Sequence, residues 1–387
     1  MVDIGKRSAL RFVILLGLVS LFADITYEGA RSITGPYLAI LGANATIVGI
    51  VAGLGEGMGY GLRLFFGFLA DRTRRYWVIT IVGYGINLFA VPLLAFAHHW
   101  WVASLLIILE RTGKAIRTPA RDAMLSHAGQ QMGMGWGFGL HQALDQTGAV
   151  IGPLLVAAVL YWQKNYAFAF GMLIIPAAFA LIMLWIARRQ YPHPHELEEQ
   201  FTAIHTEGLH SYIFWLYVAG ASCIAFGYAD FALIAYHFEK ISLLTPAWIP
   251  IAYAIAQSVD TLTAPALGHF FDKRGFIILL IATVISGWFA PLVFLGGKLL
   301  AILGVMLWGI GIGVQGSLMR AVVAKMIPKN KRASAYGVFN ASFGLAWFIG
   351  SVLMGMLYDY SILMLVAFSV LAQLAALPFF IITWLKI

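Results

Sequence analysis

Four bases stand at helical spacing inside an otherwise apolar stretch: Arg111, Lys114, Arg117 and Arg121, preceded by Glu110. Steps of three, three and four residues put them on one face of a helix. A helix facing hydrocarbon does not tolerate such a stripe, so it must meet water or acids. Acids stand on a second face, where Asp24, Glu28 and Arg31 fall at i, i+4 and i+7 with Tyr27 and Thr34 beside them. Two chemistries follow. A buried carboxyl gains or loses a proton according to how well water and bases reach it, which makes Asp24, Glu28, Glu56 and Asp145 candidates for proton exchange. His141, four residues before Asp145, could share that proton. Arg111 and Lys114, with Tyr27 and Arg31, could hold an anionic or zwitterionic solute. The alternative is structural, because six acids (Asp24, Glu28, Glu56, Glu110, Asp122, Asp145) balance six bases (Arg31, Arg63, Arg111, Lys114, Arg117, Arg121) and can neutralise one another.

The elements that carry these groups are membrane helices. Of 387 residues 61% are hydrophobic and 11% charged, where a soluble domain carries about 25% charged. Apolar runs of about 20 residues recur throughout, each long enough to cross a hydrocarbon core of about 30 Å. They are too uniform for barrel strands of alternating polarity. Read against loop signals, spans fall at 10–34, 46–69, 77–97, 101–125, 135–161, 166–187, 211–236, 246–270, 276–295, 299–326, 333–357 and 361–385. The expectation is an all-α membrane protein of twelve transmembrane helices. A first bundle covers 1–187, a polar cytoplasmic linker 188–210, and a second bundle 211–387. Pro36 is expected to close the first span.

Lys and Arg concentrate in one set of loops and at both ends, including Lys6, Arg7, Arg72, Arg74, Arg75, Arg188, Arg189, Lys273 and Arg274. By the positive-inside rule both termini are cytoplasmic, and the chain is expected in a bacterial inner membrane. The net charge of +8 is spread over short loops rather than gathered on one face, which argues against nucleic acid. A single cysteine, Cys223, excludes an internal disulfide. The glycine run from Gly53 to Gly61 lacks the Lys-Ser/Thr of a phosphate loop and suits close helix packing. The second half has fewer buried charges, chiefly Asp230, Asp260 and Arg320, and more rings, with Tyr228, Tyr236, Tyr253, Trp308 and Trp347 able to line an amphipathic wall. Asp260 and Trp308 are its solute-binding candidates.

The two halves repeat. Gly67-Phe-Leu-Ala-Asp71-Arg72 after the second span has a counterpart in Gly268-His-Phe-Phe-Asp272-Lys273 after the eighth. The first copy resembles motif A of the major facilitator superfamily, whose pattern has a second Gly where Thr73 or Arg74 stands; the second copy keeps it as Gly275. The resemblance implies two pseudo-symmetric six-helix bundles, and a conformational latch in which Asp71 pairs with Arg117 or Arg121. Gly67, Arg72 and Asp272 belong to the same device. Gly148-Ala-Val-Ile-Gly152-Pro153 resembles the core of motif C of proton-coupled exporters, although Val156 and Ala157 stand where paired glycines should follow.

The function so implied is secondary active transport of a small organic solute by alternating access, with protons as the coupling ion and export as the direction. Uptake of an anionic metabolite or a metal-chelate ligand is the alternative within transport, and a lipid flippase or scramblase the alternative outside it. No enzyme activity, cofactor or bound metal is expected; the expected partners are the solute, protons and membrane lipids, with the chain as a monomer.

Overall fold

The computed structural model describes residues 2–132, 134–192, 212–326 and 332–386, all helical apart from short turns. The expected linker therefore lies largely outside the described residues, beyond Pro192. Among the described residues ten helical segments are long and apolar enough to cross a membrane. Two expected spans are not among these ten. Trp100–Met132 carries the basic stripe, and Trp248–Arg274 is diluted by Gln257, Ser258, Asp260, Thr261 and Thr263.

The chain packs as two compact units. The first joins Met1–Arg31 to Met58–Ala203, and the second joins Ser32–Gly57 to Ile204–Ile387. The first unit holds α1 (Val2–Arg31), the later part of α3 (Ala45–Thr73), α4 (Tyr76–Leu93), α5 (Trp100–Met132), α6 (Met134–Gln163), α7 (Tyr166–Met172) and α8 (Ile174–Gln190). The second holds α2 (Thr34–Ile40), the start of α3, α9 (Tyr212–Gly227), α10 (Phe231–Lys240), α11 (Trp248–Arg274) and α12 (Phe276–Gly287). It continues through α13 (Phe289–Leu295), α14 (Lys298–Gly313), α15 (Met319–Met326), α16 (Arg332–Tyr360), α17 (Ile362–Leu374) and α18 (Ala376–Lys386).

Pro36 does not close the first span. The helix stops at Arg31, turns over Ser32 and Ile33, and resumes as α2 with Pro36 in its first turn. There a missing N–H costs no hydrogen bond. The seventh span is broken likewise: α9 ends at Gly227 and α10 begins at Phe231, with the Asp230 carboxylate accepting from the Ala232 N–H at 3.0 Å. At the start of α3, Asp359 from α16 accepts the amides of Ala45 (3.1 Å) and Thr46 (2.8 Å). Side-chain oxygens at helix starts satisfy donors that the helix itself leaves unmatched.

Between helices in lipid, close packing replaces the hydrophobic drive. In the first unit Phe12, Leu16, Val19 and Ala23 on α1 pack with Trp77, Tyr84 and Leu88 of α4, Leu125 of α5 and Leu184 of α8. The other side of α1 lies against α6, where a Cβ on Gly148 would strike the Leu21 carbonyl and one on Gly152 the Ile25 carbonyl. The two glycines of the 148–153 segment thus form a backbone-to-backbone seam.

The loop after α3 explains the departure at Arg74. Arg74 has φ +53° and donates its N–H to the Ala70 carbonyl at 2.8 Å. Gly275 has φ +65° and donates to Phe271 at 2.7 Å. Both residues end their helices at positive φ, which glycine adopts freely and a residue with a Cβ does not. Replacing Arg74 by Gly is expected to stabilise the fold by about 1 kcal/mol, and replacing Gly275 by Ala to destabilise it by a similar amount. Thermal unfolding of the purified variants in detergent checks both; a lower Tm for Arg74→Gly contradicts the assignment.

Candidate functional site

α1 and α5 run antiparallel with their charged faces together, and the register pairs each base of the stripe with a group on α1. Lys114 Nζ lies 3.6 Å from Glu28 Oε1 and 3.5 Å from the centre of the Tyr27 ring. Arg117 Nη2 lies 3.6 Å from Asp24 Oδ1, and the guanidinium sits 4.2 Å above the Tyr84 ring of α4. Arg111 donates to the Tyr27 hydroxyl and lies 3.5 Å from Glu110, and Glu110 in turn accepts from Asn87 of α4 at 2.7 Å. Every three or four residues along α5 therefore meet three or four in the opposite sense along α1, as facing helical stripes require.

The lower end of the ladder joins α6. Arg121 holds Asp122 at 2.9 Å, stands 3.9 Å from Asp145, and donates to Ser20 Oγ at 3.1 Å. Ser20 Oγ is also 2.8 Å from His141 Nε2 and 3.4 Å from the Tyr84 hydroxyl. Because Arg121 can only donate, Ser20 accepts from it and turns its own hydrogen toward His141 or Tyr84.

Burial grades along this ladder. The Arg117 side chain is 0% exposed and the Asp24 side chain 5%, whereas Lys114 is 23%, Asp145 21% and Asp122 43% exposed. A sealed pair at Asp24 and Arg117 is thus flanked by groups that water or a solute can reach. None of the three Arg117 nitrogens has a hydrogen-bond partner among the described residues. Its charge is held by Asp24 and the Tyr84 face alone, through ion-pair and cation–π attraction.

The structure gathers Asp24, Tyr27, Glu28, Arg111, Lys114, Arg117, Arg121, His141 and Asp145 in one unit. Glu56, half-buried on the early part of α3, belongs to the other. Arg31 is half-buried in the last turn of α1. The latch between Asp71 and Arg117 or Arg121 is not formed: Asp71 and Arg72 are exposed, and both guanidiniums are engaged with other acids nearer to them. Gly67 lies against Pro119, whose side chain is 3.6 Å from where a Cβ would stand. The side chain of Asp272 lies outside the described structure. Trp308 is buried, but its indole N–H is spent on the Ala229 carbonyl at 2.8 Å and its own carbonyl accepts the Tyr228 hydroxyl, so its polar atoms brace the broken seventh span. Asp260 is half-buried on α11.

Sequence reasoning passed over Ser20, Tyr84 and Asn87. Asn87 carried a usable signal, as an amide inside the apolar span 77–97. Ser20, one turn before Asp24 on the acidic face, carried a weaker one. Among the described residues no three His, Cys, Asp or Glu side chains are grouped as metal ligands would be.

Removing one member of a sealed ion pair strands the other, at a cost of about 3–5 kcal/mol, whereas replacing both by apolar groups of similar volume is near neutral. Arg117→Met and Asp24→Leu are each expected to lower the Tm in detergent strongly, and the double variant to recover most of the loss. Additive losses in the double variant contradict the pairing.

Comparison with known proteins places the chain in a family. The Major Facilitator Superfamily profile matches residues 16–351. An uncharacterized protein of Mycobacterium tuberculosis is 44% identical over 378 residues, covering 96% of this chain and 92% of that protein. An uncharacterized MFS-type transporter of Methanocaldococcus jannaschii is 27% identical over 370 residues, covering 92% and 91%. Among solved structures, the nucleoside transporter NupG superposes with a TM-score of 0.76 at 15% identity, covering 95% of this chain and 99% of that one, a likeness of fold alone. With ten membrane-length apolar helices, a ladder of buried charge and a profile match over most of its length, this integral membrane protein belongs to the major facilitator superfamily.

Proposed function

We propose that the protein is a proton-coupled secondary transporter that exports a small amphipathic, anionic or zwitterionic solute by alternating access, as a monomer. The observation that carries the proposal is the graded ladder between α1, α5 and α6. Buried charges are costly in a membrane and are kept where they serve a pathway. This ladder has a sealed middle and two accessible stations, Lys114 with Glu28 and Arg121 with Asp145.

Each station has a task. At 3.9 Å, Arg121 and Asp145 attract without a direct hydrogen bond, and Asp145 Oδ1 has no hydrogen-bond partner among the described residues. A proton on Asp145 releases Arg121 to Asp122 and Ser20, which already hold it; loss of the proton draws it back. His141 stands at the same junction through Ser20 and is the second group a proton can reach. At the other station the Lys114 ammonium, partly exposed, offers its charge to a solute anion that competes with Glu28. A solute taking Lys114 disturbs the α1–α5 register, and so does a change of charge at Asp145. Both ligands then bias one packed interface, as coupled transport demands. Glu28, Asp24 and Glu56 complete the set of proton candidates, and Arg111, Tyr27 and Arg31 that of solute contacts.

Twelve spans in two bundles of six, with both termini cytoplasmic in a bacterial inner membrane, complete the proposal. The concentration of Lys and Arg in one set of loops and the repeat of Gly67–Arg72 in Gly268–Lys273 support it. Export is favoured by the resemblance of Gly148–Pro153 to an exporter motif. Uptake of an anionic metabolite remains the second reading, favoured by the exposed Lys114.

The test uses everted membrane vesicles carrying a fluorescent pH probe and a panel of anionic, zwitterionic and cationic solutes. For a proton-coupled exporter, addition of the transported solute releases protons from the vesicles. Asp145→Asn is expected to cut that signal at least about tenfold, since its acid–base function is removed, while gradient-independent exchange of the same solute persists. An Asp145→Asn protein with undiminished proton release rules Asp145 out as the carrier, and solute-dependent proton uptake in the same orientation rules out export by antiport.

A further inference from the structure

The second unit contains a group the ladder does not use. The helix that begins as α14 widens over Val314–Leu318 into a π-helical turn before continuing as α15. Such turns insert one residue into the helical ladder and recur at functional sites. Gln315 lies in this turn, only 8% exposed, and neither its Oε1 nor its Nε2 has a hydrogen-bond partner among the described residues. A buried carboxamide with both ends unmatched is costly, and evolution retains one where something else completes it.

The surroundings indicate what completes it. Gln315 follows Gly311 by four residues and Trp308 by seven, so it shares their helix face. That face looks at Tyr228, whose hydroxyl lies against Gly311 and whose ring stacks on Trp308 with centroids 6.0 Å apart. Trp347 of α16 meets the same Tyr228 ring edge-on at 5.8 Å. The Trp347 indole N–H, on a residue 4% exposed, is a second buried donor without a partner among the described residues. Two residues before Gln315, the Asp260 carboxylate lies 3.0 Å from where a Cβ on Gly313 would stand, a close approach of α11 to this helix.

We propose that Gln315, with the Trp347 indole and the Tyr228 ring, forms a recognition station for a planar, uncharged amide group of the transported solute. A carboxamide offers one donor and one acceptor side by side, and an amide is their complement; the indole N–H adds a donor for the amide oxygen, and the rings supply flat walls. A carboxylate is a poorer guest, because it has nothing to give the Gln315 oxygen. The proposal rests on the transport reading only in needing a solute, and its test involves no proton gradient.

Purified full-length protein in detergent is heated with benzamide or with benzoate, which share size and planarity and differ in donor and charge. Benzamide is expected to raise the Tm more than benzoate does. Gln315→Met, which removes the unmatched amide, is expected to raise the ligand-free Tm by about 2 °C or more and to erase the preference for benzamide. Gln315→Glu, which keeps a polar side chain of the same length, is expected to erase the preference as well. A fall in ligand-free Tm for Gln315→Met assigns the amide a purely structural role and overturns the proposal, as does equal stabilisation of the unaltered protein by the two compounds. Loss of proton coupling in Asp145→Asn leaves this measurement unaltered, so the two proposals fail separately.

Discussion

The attraction between Asp24 and Arg117 is the interaction on which the first unit depends. Removing either group would leave the other buried without its partner, and the pair lies where α1 and α5 face each other over their charged stripes. Once that contact sets the register, Glu28 must meet Lys114 one turn along, and Ser20 must meet Arg121 one turn the other way. The glycine seam at Gly148 and Gly152 then brings α6 against the neighbouring face of α1, and with it His141 and Asp145. Electrostatics fixes the rotation of these helices and glycine fixes their separation.

Exposure is graded along this ladder. A uniformly sealed set of ion pairs would hold the helices rigidly and respond to nothing. Asp122, Asp145 and Lys114 at its ends are partly exposed, whereas Asp24 and Arg117 in the middle are sealed. The second unit is built on another principle: Tyr228, Phe231, Tyr253 and Trp308 pack ring on ring around the break in the seventh span, and hydrogen bonds from Tyr228 and Trp308 tie the two sides together. The first unit is thus organised by buried charge and the second by packed rings.

Much of this was legible beforehand. The stripe from Arg111 to Arg121 announced a buried helix face because charge at that spacing has few places to go. The six-against-six balance foretold that acids would meet it. Gly148 and Gly152 announced close contact through their spacing. Other features depend on distance in space that spacing along the chain does not encode. Ser20 matters because three groups from three other helices converge on its oxygen, and in this structure Arg117 and Arg121 meet Asp24 and Asp122 while Asp71 is exposed. The breaks after Arg31 and Gly227 escaped notice because hydropathy continues across them undisturbed; only the cap at Asp230 marks the second. Gln315 looked ordinary, since its significance lies in the bonds it does not make.

The register between α1 and α5 also has a consequence for biogenesis. Asp24 and Glu28 leave the ribosome about 90 residues before the bases that neutralise them, which at roughly 5–20 residues per second is a delay of about 5–20 s. For that interval the first helix carries uncompensated acids that lipid resists. The bases of α5 thus reach these acids only after the two intervening spans have been made.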